Sequence, residues 1–128
     1  MYVAIVDDHA GLREAIAALL EVAGFPSRGF GSAEEFMHSR EMDDAACLVL
    51  DERLPGIDGH ELQQRLAKTG MHVPIVFISA HEDRDPAVPA RALQDGAVAF
   101  FRKPFSDEEF LGAVDRAWHA GRGGDTKV

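Results

Sequence analysis

The chain has 128 residues, of which 46% are hydrophobic, which is enough for one globular domain with its own core. Its formal net charge of -9 at pH 7 disfavours direct binding of nucleic acid, because a negative surface repels the phosphate backbone. Cys47 is the single cysteine, which excludes a disulfide framework and a cysteine metal cluster. These features predict a protein of a reducing cytoplasm, with proteins or cations as partners.

Export and membrane segments are not expected. The chain opens Met1-Tyr2-Val3-Ala4, without the basic start and long apolar stretch of a signal peptide. No apolar run approaches the roughly 20 residues that a membrane-spanning helix needs. We therefore expect a soluble chain that does not interact with membranes.

Short apolar runs alternate with segments of helical periodicity along the chain. The runs at residues 3–6, 45–50, 75–78 and 97–101 are rich in Val, Ile, Leu and Phe, with no alternation of polar residues. This composition is typical of parallel strands that helices cover on both faces. A shorter and more polar strand at residues 27–30 suits an edge position. The pattern predicts an α/β fold with a five-stranded parallel sheet.

Three helices have clear sequence signals. Helix one is indicated by an apolar stripe that ends before Gly24 and consists of Leu12, Ala15, Ile16, Leu19, Leu20 and Ala23. Ser32 with Glu35, and Ser106 with Glu109, have the spacing of a capping box and mark the starts of helices two and five. The chain becomes glycine-rich and polar from residue 121. Residues 1–120 are therefore predicted as one domain, and residues 121–128 as a polar tail or the start of a linker.

Helices three and four are predicted from weaker signals. Helix three should begin near Gly59 and bury Leu62, and helix four should follow Pro86 and stop at Gly96. Pro89 removes an amide from the hydrogen-bond ladder of helix four. We expect this helix to begin late or to be locally loose.

Polar residues follow four of the predicted strands. They are Asp7, Asp8, Asp51, Ser79 and Lys103. Because all strands of a parallel sheet point the same way, residues that end the strands meet at one edge, where such folds bind ligands. With the doubly wound strand order 2-1-3-4-5, strands one and three are neighbours, and three carboxylates share a small volume.

This cluster predicts a particular chemistry. Carboxylates so close together are costly unless a cation neutralises them, and Mg²⁺ prefers oxygen ligands together with phosphate. A carboxylate can attack phosphorus and become an aspartyl phosphate. Lys103 offers a positive charge, and Ser79 a hydroxyl donor, for the phosphoryl oxygens.

On these motifs, residues 2–120 resemble a response-regulator receiver domain of the CheY-like superfamily. The resemblance is strongest to receivers of LuxR/FixJ-type two-component regulators. It rests on Val6-Asp7-Asp8-His9, on the phosphoacceptor segment at residues 50–59, and on Ile78-Ser79-Ala80, Gly96-Ala97 and Lys103-Pro104-Phe105. It implies a flavodoxin-like (βα)5 fold with strand order 2-1-3-4-5.

The resemblance also implies the site and its role. Asp51 would accept a phosphoryl group from a histidine kinase or a phosphotransfer protein. Mg²⁺ would be bound by Asp8, Asp51 and the backbone carbonyl of Arg53, with Asp7 assisting through water. Such a domain catalyses only its own phosphorylation and dephosphorylation, so it is not an enzyme in the ordinary sense.

A conformational switch is implied as well. Ser79 would move toward the new phosphoryl group and Phe101 would rotate inward. These movements would remodel the face formed by helix four, strand five and helix five. That face would bind an output domain, a protein target or a second copy of the chain, in the service of transcription regulation.

Two other functions are compatible with parts of this pattern. A haloacid-dehalogenase-like phosphatase has a second acid two residues after its nucleophile. Here the residue two positions after Asp7 is His9, and the residue two positions after Asp51 is Arg53. A pseudo-receiver, which is never phosphorylated, usually lacks the acceptor, and its one supporting feature here is Glu52, where the family usually has a small or apolar residue. By strand alternation we expect Glu52 on the face opposite Asp51, reaching solvent or pairing with a base.

The histidines are not predicted to form a metal site. His60-Glu61 lacks a second histidine four residues further on. His9 and His81 are expected in loops near the mouth of the pocket. From Ser79 to Gly96 the chain is slightly longer than is usual in the family.

Overall fold

The computed structural model describes residues 1–80 and 85–121, so His81 and all of the predicted tail at 121–128 except Gly121 lie outside the described residues. The elements in chain order are β1 (Tyr2–Val6), α1 (Ala10–Val22), β2 (Ser27–Phe30), α2 (Ala33–Met37), a 3-10 turn (Met42–Asp44), β3 (Ala45–Asp51), α3 (Gly59–Lys68), β4 (Ile75–Ser79), α4 (Ala87–Gln94), β5 (Ala99–Arg102) and α5 (Asp107–Gly121). The five strands form one parallel sheet in the order β2-β1-β3-β4-β5, which confirms the predicted doubly wound, flavodoxin-like fold. Within the described ranges, no helix has both the length and the apolar character needed to cross a bilayer.

The sheet lies between two layers of helices, which is why its central strands are apolar on both faces. β1, β3 and β4 are buried along their whole length. On one side α2, α3 and α4 pack through residues such as Phe36 and Leu62, and on the other side α1 and α5 pack through Leu20 and Phe110. β2 lies at an edge and exposes Arg28, in keeping with its polar sequence.

The helix starts that the sequence predicted are capped as expected. Ser32 Oγ accepts a hydrogen bond from Glu35 N at 3.0 Å, and Ser106 Oγ accepts one from Glu109 N at 3.2 Å. Each bond satisfies an amide that has no partner within the first turn of the helix. Both predicted capping boxes therefore mark real helix starts.

Pro89 does not delay α4, so the expectation of a late start is wrong. The helix begins at Ala87, which places Pro89 third in its first turn. Amides in the first turn have no partner within the helix, so a proline there removes no hydrogen bond. The start is also held by Asp85, whose Oδ1 accepts a bond from Ala87 N at 3.0 Å.

The start of α3 lies directly against the end of β3. A Cβ atom on Gly59 would be only 2.5 Å from the backbone oxygen of Asp51 and 3.1 Å from Cε1 of Phe77. Only glycine permits this approach. Asp58 then caps the helix by accepting a hydrogen bond from Glu61 N at 2.9 Å. These contacts define the path of the loop that follows Asp51.

Candidate functional site

Two neighbouring strands bring three acids together at one edge of the sheet. Val6 of β1 pairs with Leu50 of β3, so the next residues, Asp7 and Asp51, lie side by side where the two strands end. Potential ligand atoms of Asp7, Asp8, His9 and Asp51 all lie within 4.8 Å of one another. The predicted convergence of the three carboxylates is therefore confirmed.

Asp51 is held in an environment that disfavours its charge. The residue is 5% exposed, and its Oδ1 accepts a hydrogen bond from Arg53 N at 3.0 Å. The pKa of the Asp51 carboxyl is raised to about 6, mainly by burial and also by the charges of Asp7 and Asp8, while the Arg53 amide and Lys103 act in the opposite direction. An added cation would favour the charged form that phosphoryl transfer requires.

This raised pKa predicts how stability depends on pH in the absence of divalent ions. The folded protein binds the Asp51 proton more tightly than the unfolded chain, so the stabilisation is present below pH ~4 and is lost as pH rises through about 6. We expect Asp51→Asn to raise the free energy of unfolding at pH 7 by on the order of 1–2 kcal/mol. Denaturation in EDTA at pH 7 and at pH 4 measures this difference.

Most of the gain should disappear at pH 4, where the Asp51 carboxyl is protonated in the folded protein and about half protonated in the unfolded chain. Asp43→Asn, at an exposed position outside the cluster, is the matched control and should show no such gain. A wild-type protein as stable as Asp51→Asn at pH 7 would contradict the raised pKa.

His9 belongs to the acidic cluster, although the sequence placed it only near the pocket mouth. Its backbone N donates to Asp7 Oδ1 at 2.8 Å, and its Nδ1 lies 3.2 Å from Asp8 Oδ1. The side chain is 73% exposed, so it lies on the solvent side of the acids. Its position directly after the acidic pair was the available signal in the sequence.

Arg13 secures the turn that carries the acidic pair, a role that the sequence analysis missed. Its Nη1 donates to the backbone oxygen of Asp7 at 2.7 Å. The Arg13 side chain crosses β2 at Gly29, which has no side chain of its own. A Cβ atom on Gly29 would be only 3.2 Å from Arg13 Cδ. The glycines on either side of Phe30 were the feature of the sequence that could have indicated this contact.

Glu34 of α2 holds the loop after Asp51, and this contact was also missed. Its Oε2 accepts a hydrogen bond from Ile57 N at 3.2 Å. Gly56 has a φ of +75°, and a Cβ there would be 2.5 Å from the same carboxylate oxygen. The glycine is therefore needed for its backbone conformation, and a side chain there would displace the Glu34 carboxylate.

Ser79 and Lys103 lie at the same edge of the sheet. Ser79 ends β4 and is 1% exposed. Lys103 N donates to the backbone oxygen of Ser79 at 2.9 Å, and the following Lys103–Pro104 peptide bond is cis. Lys103 is close enough to lower the pKa of Asp51 through its charge. Ser79 and Lys103 are thus joined directly by a backbone hydrogen bond at this edge.

Phe101 lies within a group of aromatic rings next to α5. It pairs with Ile78 in the sheet and is half-buried. Its ring centroid is 5.6 Å from that of Phe105 and 6.1 Å from that of Phe110. The proposed inward rotation of Phe101 stays a prediction.

The acidic cluster has the chemistry of a site for a hard cation. Asp7 Oδ2 is buried and has no hydrogen-bond partner among the residues that the structure describes. A buried carboxylate oxygen without a partner is costly unless a cation or water satisfies it. The oxygen donors of the three acids are the kind that Mg²⁺ prefers. The residues present therefore fit such an ion.

A family model for the response regulator receiver domain matches residues 3–115. The chain belongs to this family, and it is a two-component receiver with an acidic pocket formed by Asp7, Asp8 and Asp51. Receivers are phosphoacceptors rather than enzymes that turn over a substrate, which removes the haloacid-dehalogenase-like phosphatase from consideration.

Among the curated relatives are regulators named for nodulation and transcription. Nodulation protein W of Bradyrhizobium diazoefficiens is 43% identical over 110 residues, which cover 86% of this chain and 48% of that protein. The transcriptional regulatory protein FixJ of the same organism is 34% identical over 116 residues, which cover 91% of this chain and 56% of that protein. The chain thus spans about half the length of the curated relatives it matches.

Solved structures agree with this assignment. The crystal structure of FixJ-N superposes with a TM-score of 0.81 at 34% identity, covering 93% of this chain and 94% of that one. The response regulator StyR superposes with a TM-score of 0.85 at 37% identity, covering 97% of this chain and 62% of that one. The chain is thus similar to receivers of FixJ type in both sequence and fold.

Proposed function

We propose that this chain is a phosphorylation switch in which Asp51 accepts a phosphoryl group from a histidine kinase or a phosphotransfer protein. The observation that carries the proposal is the position of the Asp51 carboxylate. It ends a buried strand, lies beside Asp7 and Asp8, and is within electrostatic reach of Lys103. A nucleophilic carboxylate, anionic metal ligands and a cation for phosphate are the components that phosphoryl transfer needs.

We propose Mg²⁺ as the cofactor. Asp8, Asp51 and the backbone carbonyl of Arg53 would hold the ion, and Asp7 would assist through water. The orphaned Oδ2 of Asp7 supports this arrangement. When bound, the ion would neutralise negative charge on the carboxylates and on the phosphoryl oxygens.

The chain's own residues then have distinct tasks in the transfer. A carboxylate oxygen of Asp51 forms a bond to phosphorus while the bond from phosphorus to the donor breaks, and the donor leaves with that electron pair. The Lys103 ammonium stabilises the charge on the phosphoryl oxygens. The Ser79 hydroxyl donates a hydrogen bond to another phosphoryl oxygen.

Phosphorylation would change the surface that partners bind. In this proposal Ser79 moves toward the phosphoryl group, Phe101 rotates inward, and the face of α4, β5 and α5 is remodelled. A ligand shifts such an equilibrium only by the difference in its interaction free energy with the two states. The remodelled face would bind an output domain, a protein target or a second copy of the chain.

Transcription control by the whole protein is part of the proposal, because relatives such as FixJ are named transcriptional regulatory proteins. A cytoplasmic location fits this role, since a cytoplasmic kinase domain would have to reach Asp51. The buried Cys47, whose pKa burial raises to about 12, is kept in its unreactive thiol form. The pseudo-receiver alternative is supported only by Glu52.

The test is phosphorylation of the chain by acetyl phosphate, followed by intact mass spectrometry. With Mg²⁺ we expect the mass of one phosphoryl group to be added to each chain. EDTA should prevent the gain, because the acidic cluster would then repel the anionic donor. A chain that stays unlabelled at saturating acetyl phosphate and Mg²⁺, while still folded, would favour the pseudo-receiver.

A further inference from the structure

Glu52 lies on the opposite face of the sheet from Asp51, next to Ser79. Glu52 follows Asp51 directly, and its backbone N donates to the oxygen of Ile78 at 2.9 Å, so it continues the parallel register of β3 beside β4. Side chains of successive strand residues point to opposite faces. Strand alternation in the sequence predicted this face for Glu52, and the expectation that it reaches solvent or pairs with a base stays a prediction.

One neighbour of Glu52 is the hydroxyl that the phosphoryl group would need. Ser79 Oγ lies 3.4 Å from Glu52 Oε1 and 3.4 Å from the backbone oxygen of Ala80. A hydroxyl has one proton and donates to one acceptor at a time. Both contacts are longer than the roughly 2.7–2.8 Å of a strong O–H···O bond. The buried hydroxyl is therefore shared between two weak acceptors.

We propose that Glu52 is a positioning residue that competes with the phosphoryl group for the Ser79 hydroxyl. This inference rests on the proposed function and deepens it. In the unphosphorylated state Ser79 donates toward Glu52. After phosphorylation the hydroxyl turns toward a phosphoryl oxygen, and the Glu52 carboxylate loses that donor. The carboxylate therefore favours the unphosphorylated arrangement.

The position of Glu52 also connects this exchange to α4. Glu52 lines a cavity of about 170 Å³ between α3 and α4, and Arg91 and Ala92 of α4 line the same cavity. When Ser79 turns away, the charge of Glu52 keeps its place in this cavity but loses a hydrogen bond. The exchange thus changes the electrostatic surroundings of α4, which is part of the proposed partner surface. An apolar residue at position 52 could not have this effect.

The test uses beryllofluoride, a phosphoryl mimic, with Mg²⁺ and the whole chain. Calorimetry or ¹⁹F NMR would give its affinity for wild type, Glu52→Ala, Glu52→Gln, Ser79→Ala and the Glu52→Ala/Ser79→Ala double variant. We expect Glu52→Ala to bind beryllofluoride about three- to tenfold more tightly, since a net hydrogen bond contributes about that factor. Glu52→Gln, which keeps a weaker neutral acceptor, should fall between Glu52→Ala and wild type.

The double variant distinguishes an effect of Glu52 through the Ser79 hydroxyl from an effect of the Glu52 charge alone. If Glu52 acts through Ser79, adding Glu52→Ala to Ser79→Ala should change the affinity less than twofold. Glu61→Ala, at an acid of α3 that contacts Arg65 instead, is the matched control and should bind like wild type. Thermal unfolding would show that each variant is folded.

Other outcomes would overturn the inference. Equal tightening in both serine backgrounds would mean that Glu52 acts only by charge repulsion, and unchanged or weaker binding by Glu52→Ala would mean that it does not compete at all. Either result leaves the proposed function intact. A folded wild type that fails to bind beryllofluoride would overturn the proposed function and this inference with it.

Discussion

Asp51→Asn is expected to abolish phosphorylation by acetyl phosphate and Mg²⁺. An amide is not a nucleophile toward phosphorus, so the variant cannot form the acyl phosphate. The replacement is nearly equal in size, and the structure predicts a more stable metal-free fold at pH 7, so the loss cannot come from unfolding. Intact mass spectrometry after a fixed incubation measures the phosphoryl group gained.

Asp43→Asn is the matched control for this experiment as well. Its carboxylate is exposed and lies outside the acidic cluster, so this variant should be labelled like wild type. An Asp51→Asn variant that still gained a phosphoryl group would place the acceptor at another residue. The role assigned to the end of β3 would then be wrong.

Lys103→Met is expected to slow phosphorylation by about 100-fold, the effect typical of removing one donor to a developing charge. The side chain keeps much of its length but loses the ammonium group that would contact the phosphoryl oxygens. The measurement is the initial rate of phosphoryl gain at a fixed acetyl phosphate concentration. Lys68→Met, on the exposed last turn of α3, is the control and should keep the wild-type rate.

The same lysine variant has a second, independent readout. Because the charge of Lys103 lowers the pKa of Asp51, its removal should raise that pKa further above its ordinary value. An NMR titration of the Asp51 carboxyl carbon measures this shift. A Lys103→Met protein with a rate within twofold of wild type would show that Lys103 does not assist the transfer.

Most of the fold could be predicted because the central strands are buried on both faces. β2 has the bounds that the sequence predicted, and β3 and β4 each extend by one residue. β5 begins at Ala99 rather than at Ala97. Ala97 N instead bonds to the oxygen of Ala92, so the first apolar residues of that run belong to the turn after α4. Apolar composition alone cannot distinguish a partly buried turn from a strand.

The acids of the site could be predicted because parallel topology determines where strand ends meet. The supporting contacts could not, since each joins a long side chain to a backbone group outside its own helix. Glu34 reaches Ile57, and Arg13 reaches the carbonyl of Asp7. Strand alternation placed Glu52 on the correct face. Its contact with Ser79 depends on the register between β3 and β4, which the sequence does not specify.

The most direct test of the central claim is a crystal structure of the chain with Mg²⁺ and beryllofluoride. We expect beryllium bonded to a carboxylate oxygen of Asp51, with Mg²⁺ held by Asp8, Asp51 and the backbone carbonyl of Arg53. Lys103 and the Ser79 hydroxyl should contact the fluorides. Beryllofluoride on another residue, or Mg²⁺ bound away from the three acids, would show that this edge of the sheet is not the phosphoacceptor site.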